Sequence, residues 1–140
     1  MKNESEPITT DEFVLRLIWR DYFKQERLGI VTPSAFRPRK DETDGISVFR
    51  SACVENPADV LAVMIPEKRG KYAVAQVSVS QLLNLELSVS PAKIDSVPGH
   101  AVVPELNISA VKIDKRHWEM VQEPLALKAV VLIPPLELNI

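Results

Sequence analysis

The chain has 140 residues, of which 46% are hydrophobic and 26% are charged, with a formal net charge of −2. This size and composition are typical of one globular domain with its own core, and they exclude a chain that is disordered throughout. The small net charge gives no general attraction to nucleic acid or to an acidic membrane surface. Binding of nucleic acid would therefore need a local basic patch.

Cysteine content and the N-terminal segment predict a cytoplasmic protein with no disulfide and no membrane-spanning segment. Cys53 is the only cysteine, so neither an internal disulfide nor a zinc site of several thiolates can form, and we expect Cys53 to be a small core residue. Residues 1–12 lack the apolar stretch of a signal peptide. The longest apolar run, residues 129–133, is far shorter than the roughly 20 residues that a membrane-spanning helix needs.

The first element that the pattern predicts is a helix over residues 11–25. Thr10 would cap it, acidic residues occupy its first turn, and apolar residues recur at helical spacing: Val14, Leu17, Ile18 and Tyr22. The polar residues 1–9 are predicted to be a disordered N-terminus. Further along, residues 32–36 are predicted to form a turn or a single helical turn.

A charged loop and a strand come next. Residues 37–44 combine a proline with adjacent like charges, which disfavours a buried element, so a loop is predicted. An Asp-Gly turn then leads into residues 46–50, which alternate as a half-buried strand does. On that strand Ser47 and Phe49 share one face, and Ile46, Val48 and Arg50 share the other.

The later elements follow the prolines and the apolar alternation. A helix is predicted to begin at Asn56, with Pro57 at its first position and Asp59 in its first turn. The pattern predicts four further strands, the last of them buried, at residues 72–79, 85–89, 99–104 and 129–133. It also predicts a helical turn at residues 80–84. A final helix from Asn107 carries an apolar stripe: Val111, Trp118, Val121 and Leu125.

Short strands interleaved with three or four short helices predict an α+β fold. We expect a single domain over residues 10–140, with a mixed or antiparallel sheet of about four strands. The order of elements is not the regular alternation of a doubly wound fold. No glycine-rich loop follows a strand, which excludes dinucleotide-binding and P-loop motifs, and no cofactor is predicted.

His100 is the strongest single candidate for chemistry. It follows Pro98-Gly99, where a loop enters a strand, and such positions often present functional side chains. A histidine there can act as a general acid or base near neutral pH. The alternative is a loop histidine held by a backbone hydrogen bond. A pairing of His100 with His117 would suit RNA cleavage or phosphate transfer. A metal site is not indicated, because the sequence has no HxH, HExxH or cysteine-pair motif.

The cations that could meet His100 lie between residues 37 and 50. Arg37 and Arg50 are candidate catalytic partners of His100 on an anionic substrate. Four residues could form an anion-binding pocket, with the aspartate orienting one of the cations: Arg37, Arg39, Lys40 and Asp44. The alternative is a solvated charged loop in which opposite charges neutralise one another.

Three short segments carry a resemblance to known proteins: AFRPR at residues 35–39, DGISV at residues 44–48 and PGHA at residues 98–101. Their layout resembles a family of small uncharacterised bacterial proteins, which place an AF-R segment before a DG-[IL]-SV strand and a P-[GA]-HA segment further on. The similarity covers residues 28–106. The resemblance implies a bacterial origin and a functional focus on these three segments, and it brings no activity with it.

The sequence therefore predicts a small bacterial protein that binds a partner protein, associates with itself or serves as an accessory subunit. The lack of a recognisable catalytic constellation favours this interpretation. The alternative is an enzyme that acts on a phosphate-bearing or nucleic-acid substrate through His100 with Arg37, Arg39 or Arg50. The two interpretations differ in whether His100 and these arginines converge in one concave pocket.

Overall fold

The computed structural model describes residues 1–24, 27–109 and 115–137. Eight strands lie in these residues: β1 (Phe13–Trp19), β2 (Phe23–Lys24), β3 (Arg27–Val31), β4 (Ile46–Arg50), β5 (Tyr72–Ser78), β6 (Ser90–Pro91), β7 (His100–Val103) and β8 (Val130–Ile133). Six of them form one sheet in the order β6-β7-β4-β1-β5-β8, and β2 and β3 form a separate ribbon. Every pair of neighbouring strands is antiparallel.

Helices complete an α+β fold, as predicted, although the sheet has six strands over the described residues rather than about four. The α-helices are α1 (Pro66–Arg69), α2 (Val79–Asn84) and α3 (Lys115–Lys128). Short 3₁₀ helices lie at Arg20–Tyr22, Pro33–Phe36, Ser51–Cys53 and Pro57–Val63. None of the helices in the described part of the chain is long and apolar enough to cross a membrane.

Both faces of the sheet are covered. On one face Val14 and Ile18 of β1 share a large core cluster with Leu125 of α3. On the other face Leu15 and Leu17 of β1 belong to a smaller cluster that includes Val60 of the 3₁₀ helix Pro57–Val63. The central strand β1 is therefore apolar on both sides.

The predicted helix over residues 11–25 is wrong, because Phe13–Trp19 forms the strand β1. A strand that is buried on both faces carries a nearly continuous apolar run, which in β1 is interrupted by Arg16 alone, and such a run also satisfies the spacing of a helix. Pairing with β5 over the whole length, from Phe13↔Ser78 to Trp19↔Tyr72, decides in favour of the strand. Residues 25 and 26, at the predicted C-terminal end of the helix, lie outside the described part.

The strand predicted at residues 85–89 is also wrong. These residues form the turn that ends α2, where the N–H groups of Glu86 and Leu87 donate to the carbonyls of Leu83 and Leu82. Glu86 adopts a left-handed backbone conformation with φ 62°, which closes a helix end. Only the following pair, Ser90–Pro91, joins the sheet as β6.

The closing strand exists, but it lies at an edge of the sheet and is not buried. β8 pairs with β5 alone among the described strands, and the Val130 side chain is 52% exposed. Of the helix predicted from Asn107, the structure describes α3 over Lys115–Lys128, with Val121 and Leu125 buried, while residues 110–114, Val111 included, lie outside the described part.

Several local predictions are confirmed. β4, β5 and β7 match predicted strands, and α2 matches the predicted helical turn. The helix predicted to begin at Asn56 is present as the 3₁₀ helix Pro57–Val63, and the Asn56 N–H donates to the Asp59 carboxylate at 2.9 Å in its first turn. Gly45 of the Asp-Gly turn has φ 131°, and a Cβ there would lie 2.3 Å from the carbonyl oxygen of Val103. Only glycine fits this turn.

Candidate functional site

The ladder between β4 and β7 brings three polar and aromatic side chains together on one face of the sheet. Phe49 pairs with His100 across the two strands, and their rings meet edge to face with centroids 5.1 Å apart. Alternate residues of a strand project to the same side, so Ser47 lies on the same face as Phe49. Ser47 is thereby placed diagonally across from His100.

The imidazole of His100 is held at both nitrogens. Its Nδ1 lies 2.5 Å from the carbonyl oxygen of Ala92, and its Nε2 lies 2.9 Å from the Oγ of Ser47. A carbonyl can only accept, so Nδ1 carries the hydrogen, and when the ring is neutral its Nε2 accepts the Ser47 hydroxyl hydrogen. The expected backbone hydrogen bond of His100 is present, and a serine contact accompanies it.

His100 and Ser47 border a cleft of about 220 Å³. Two charged residues of the loop before β4, Arg39 and Asp41, complete its polar side. The rest of its lining is apolar and consists of Leu17, Phe49, Val63 and Met64. The cleft thus combines a hydroxyl, an imidazole and a guanidinium beside an apolar wall.

Arg39 is the cation of this cleft, and its charge is only partly neutralised. Its Nε lies 3.4 Å from Glu42 Oε1 and 3.8 Å from Asp41 Oδ1, and its side chain is 31% exposed. Among the described residues, this Nε has no hydrogen-bond acceptor in good geometry. The pair with Asp41, whose side chain is 82% exposed, contributes little to stability, because solvent screens such pairs.

A buried ion pair holds the loop that carries Arg39. Arg16 donates to Glu42 from both terminal nitrogens, at 2.6 and 3.1 Å, and from Nε to the carbonyl of Ala35 at 3.1 Å. Glu42 also accepts the backbone N–H of Arg39 at 2.9 Å and of Ser47 at 2.6 Å. Glu42 therefore anchors the backbone at two residues of the cleft, Arg39 and Ser47.

The pKa of Glu42 follows from this arrangement. Burial alone would raise the pKa, but the charge of Arg16 and its hydrogen bonds outweigh burial and lower the pKa below its usual range. Glu42 is therefore ionised at neutral pH. The Arg16–Glu42 pair was not predicted. The only local signal for it in the sequence is that Arg16 interrupts the apolar run of β1.

Arg50, predicted as a catalytic partner of His100, is buried in a second ion pair instead. Its Nε and Nη2 donate to the two carboxylate oxygens of Glu12 at 2.9 and 3.0 Å. Its remaining N–H groups point at the backbone carbonyls of Glu4, Glu6 and Pro7. The guanidinium is thus saturated by protein acceptors, namely the Glu12 carboxylate and backbone carbonyls of the N-terminal segment.

The alternation of β4 explains why Arg50 does not join the cleft. Its side chain projects from the face opposite to Ser47 and Phe49. Arg50 and His100 do border another cleft, of about 210 Å³, next to the N-terminal segment. Because the donors of Arg50 are occupied there, this second cleft has no arginine donor to offer a ligand.

The other predicted site residues lie away from the cleft. Arg37, Lys40 and Asp44 are exposed on the loop and are not part of the cleft lining. His117 lies in α3, and its side chain is outside the described part of the structure. Of the predicted anion-binding set, Arg39 alone meets His100.

The described residues offer no site for a metal ion, since they contain no group of three or more His, Cys, Asp or Glu side chains able to hold one. Cys53 is buried, and burial raises the pKa of its thiol. A buried thiol with a raised pKa is a poor nucleophile. Cys53 is thus placed in the core, as predicted.

Comparison with protein-family models, curated proteins and solved structures finds no significant match. The segments 35–39, 44–48 and 98–101 meet in space. AFRPR contributes Arg39, DGISV contributes Ser47 and PGHA contributes His100, and all three side chains line the same cleft.

Proposed function

We propose that this protein acts by binding a partner protein, as a bacterial accessory subunit would, and that the cleft beside His100 receives an oxyanion carried by a side chain of the partner. The observation that supports this is the convergence of Arg39, Ser47 and His100 on one cleft. A guanidinium and a hydroxyl are the usual donors to phosphate and carboxylate oxygens. The cleft therefore has the chemistry of an oxyanion site.

The size of the cleft favours a single group on a protein over a free cofactor. Pockets that enclose a small-molecule ligand usually measure about 300–1,000 Å³, and this cleft has about 220 Å³. A phosphorylated or acidic side chain fits such a space, whereas a whole nucleotide does not. The partner's oxyanion would displace Asp41 from Arg39, at low cost because that pair is exposed and long.

The test is a titration with phenyl phosphate followed by two-dimensional NMR of the amide groups. We expect shifts confined to residues around Arg39, Ser47 and His100. Arg39→Gln should weaken binding at least about tenfold, because each charge-assisted hydrogen bond contributes roughly 1.5–3 kcal/mol. Arg37→Gln is the matched control, since it removes the same charge from the same loop outside the cleft.

Two results would count against this proposal. In the first, Arg37→Gln weakens binding as much as Arg39→Gln, which would indicate a diffuse effect of loop charge. In the second, the shifts spread over the charged loop and leave the Ser47 and His100 signals unchanged.

An enzyme acting on a phosphate-bearing or nucleic-acid substrate is the second candidate, and the contact between Ser47 and His100 favours it. In that case His100 would transfer a proton while Arg39 binds the phosphate. Incubation with bis(p-nitrophenyl) phosphate and with a single-stranded RNA tests this candidate. Release of product that His100→Asn abolishes would support it, and no release from the wild-type protein would oppose it.

A further inference from the structure

We infer that Ser47 is a nucleophile and that His100 is its general base, so that the cleft can hydrolyse short carboxylic esters. This activity goes beyond the proposed binding function. It does not depend on it, because a neutral ester can enter the same cleft. The inference rests on the geometry of three groups: the Ala92 carbonyl, the His100 ring and the Ser47 hydroxyl.

The three groups form a relay of the kind that activates serine. Ser47 Oγ is within hydrogen-bond reach of His100 Nε2, at 2.9 Å, and His100 Nδ1 is 2.5 Å from the Ala92 carbonyl oxygen. A nucleophile beside a base, with a third group orienting the base, is the arrangement that nucleophilic catalysis requires. Here a backbone carbonyl takes the part that a carboxylate takes in the better-known triads.

The orienting carbonyl is fixed by the sheet. The Ala92 N–H donates to the His100 carbonyl at 3.0 Å. This bond continues the β6–β7 ladder by one residue past the pair Pro91–Ala101. The ring of Phe49 packs against the imidazole from the side. Rotation of His100 away from Ser47 would break the bond to Ala92 and this ring contact.

The position of Ser47 does not depend on its hydroxyl. Its backbone N–H donates to Glu42 at 2.6 Å, and its carbonyl accepts from Arg16 at 3.0 Å. These two bonds hold the residue at the edge of the cleft whatever its side chain. The hydroxyl is thus available for chemistry, and Ser47→Ala is expected to fold.

The cleft limits which esters can react. Its apolar residues Leu17, Phe49, Val63 and Met64 suit an acyl chain, and the volume of about 220 Å³ limits the length of that chain. Arg39 lies on the polar side and is the cationic group of the cleft that can stabilise an oxyanion.

The reaction runs in two steps that balance. In the first, Ser47 Oγ attacks the ester carbonyl while its proton passes to His100 Nε2, the bond from the carbonyl carbon to the alkoxide oxygen breaks, and that proton goes to the leaving alcohol. In the second, water gives a proton to His100 and attacks the acyl group on Ser47. The carboxylic acid leaves, and the proton returns to Ser47.

The test is labelling of the folded protein with a fluorophosphonate probe, followed by mass spectrometry of the peptides. The probe phosphonylates an activated serine, its P–F bond breaks, fluoride leaves and the serine proton goes to the base. We expect the label on Ser47. His100→Asn should slow labelling by about 100-fold or more, the range that a general base supplies. Asparagine at this position can still donate to the Ala92 carbonyl, so the local structure is retained.

Matched controls make the test decisive. Ser88→Ala removes a hydroxyl that donates to Glu105 at 2.6 Å, away from any described imidazole, and should leave labelling unchanged. Urea-unfolded wild-type protein should not label. The site of the label on the wild-type chain decides the matter even if a variant fails to fold.

Two results would overturn the inference: no label on Ser47 above the unfolded control, or equal rates for wild type and a folded His100→Asn variant. If labelling fails while phenyl phosphate still shifts the Arg39 and Ser47 signals, the binding function stands and the nucleophile is rejected. If Ser47 is labelled but phenyl phosphate shifts no signals, the nucleophile stands and the binding function is rejected.

Discussion

Arg16 and Glu42 form a buried ion pair with two contacts, of 2.6 and 3.1 Å, that joins β1 to the loop before β4. Arg50 at the end of β4 forms the reciprocal pair with Glu12, which directly precedes β1. The two ion pairs thus tie β1 to its antiparallel neighbour at either end of β4. The first pair also positions the backbone of Ser47, which links the stability of the core to the cleft.

Removing one member of the Arg16–Glu42 pair should be strongly destabilising. Arg16→Met removes the buried counter-charge of the Glu42 carboxylate and leaves only the partly exposed Arg39, at 3.4 Å, which costs about 3–5 kcal/mol of the free energy of unfolding. Urea denaturation monitored by circular dichroism measures this loss. The double variant Arg16→Met/Glu42→Met should lose less than the single variant, because no unpaired charge remains. Arg37→Met, an exposed change, should stay within about 0.5 kcal/mol. Equal losses for Arg16→Met and Arg37→Met would contradict the structural role of the pair.

The pKa of Glu12 predicts a dependence of stability on pH. Burial would raise this pKa, but hydrogen bonds from Arg50 and from the Thr9 backbone lower it from the ordinary value of 4.5 to about 2. Since the folded state binds the proton more weakly than the unfolded state, the stabilisation is fully present above about pH 4.5 and is lost as the pH falls towards about 2. Urea midpoints measured across that range should fall for the wild-type protein.

Glu12→Gln is the control for this pH dependence. The variant should be less stable near neutral pH, and its urea midpoint should fall less steeply with acid. Part of the decrease of the urea midpoint with falling pH should remain in this variant, because the pKa of Glu42 is also lowered. A slope identical to that of the wild-type protein would show that Glu12 does not titrate as the structure requires.

Gly99, which precedes the candidate base, should not tolerate a side chain. Its φ is 83°, and a Cβ there would lie 2.7 Å from the Cβ of Cys53. Gly99→Ala is expected to cost about 1–3 kcal/mol through backbone strain, and more where the contact with Cys53 cannot relax. Gly70→Ala is the matched control: its nearest neighbour is the flexible Glu137 side chain at 3.0 Å. Thermal unfolding of the two variants compares them, and equal melting temperatures would refute the argument.

Two leucines of α3 should respond very differently to truncation. Leu125 is fully buried in the large core cluster, whereas Leu127 is 77% exposed. Leu125→Ala should therefore cost about 2–5 kcal/mol, since it removes buried methyl groups and leaves a cavity. Leu127→Ala should change the free energy of unfolding by about 0.5 kcal/mol or less. Similar urea midpoints for the two variants would mean that α3 does not pack through Leu125.

The sequence identified part of the candidate site and missed the rest. His100 and Arg39 were singled out because a histidine after a turn and a cation near a strand carry recognisable chemistry. Ser47 was assigned only to a face of a strand, because nothing near it in the chain indicates that its hydroxyl meets an imidazole. That contact spans 53 residues and depends on the pairing of β4 with β7.

The sequence by itself determined the short-range features: the Asp-Gly turn, the helix start at Asn56, and the strands β4 and β5. Their signals lie within a few residues, where local sterics and hydrogen bonding decide the conformation. The tertiary structure decided that Phe13–Trp19 is a strand and that Arg50 is a core cation. β1 becomes buried on both faces only once the sheet has formed. The same holds for the two ion pairs, because Arg16 and Glu42 are 26 residues apart in the chain and Glu12 and Arg50 are 38 apart.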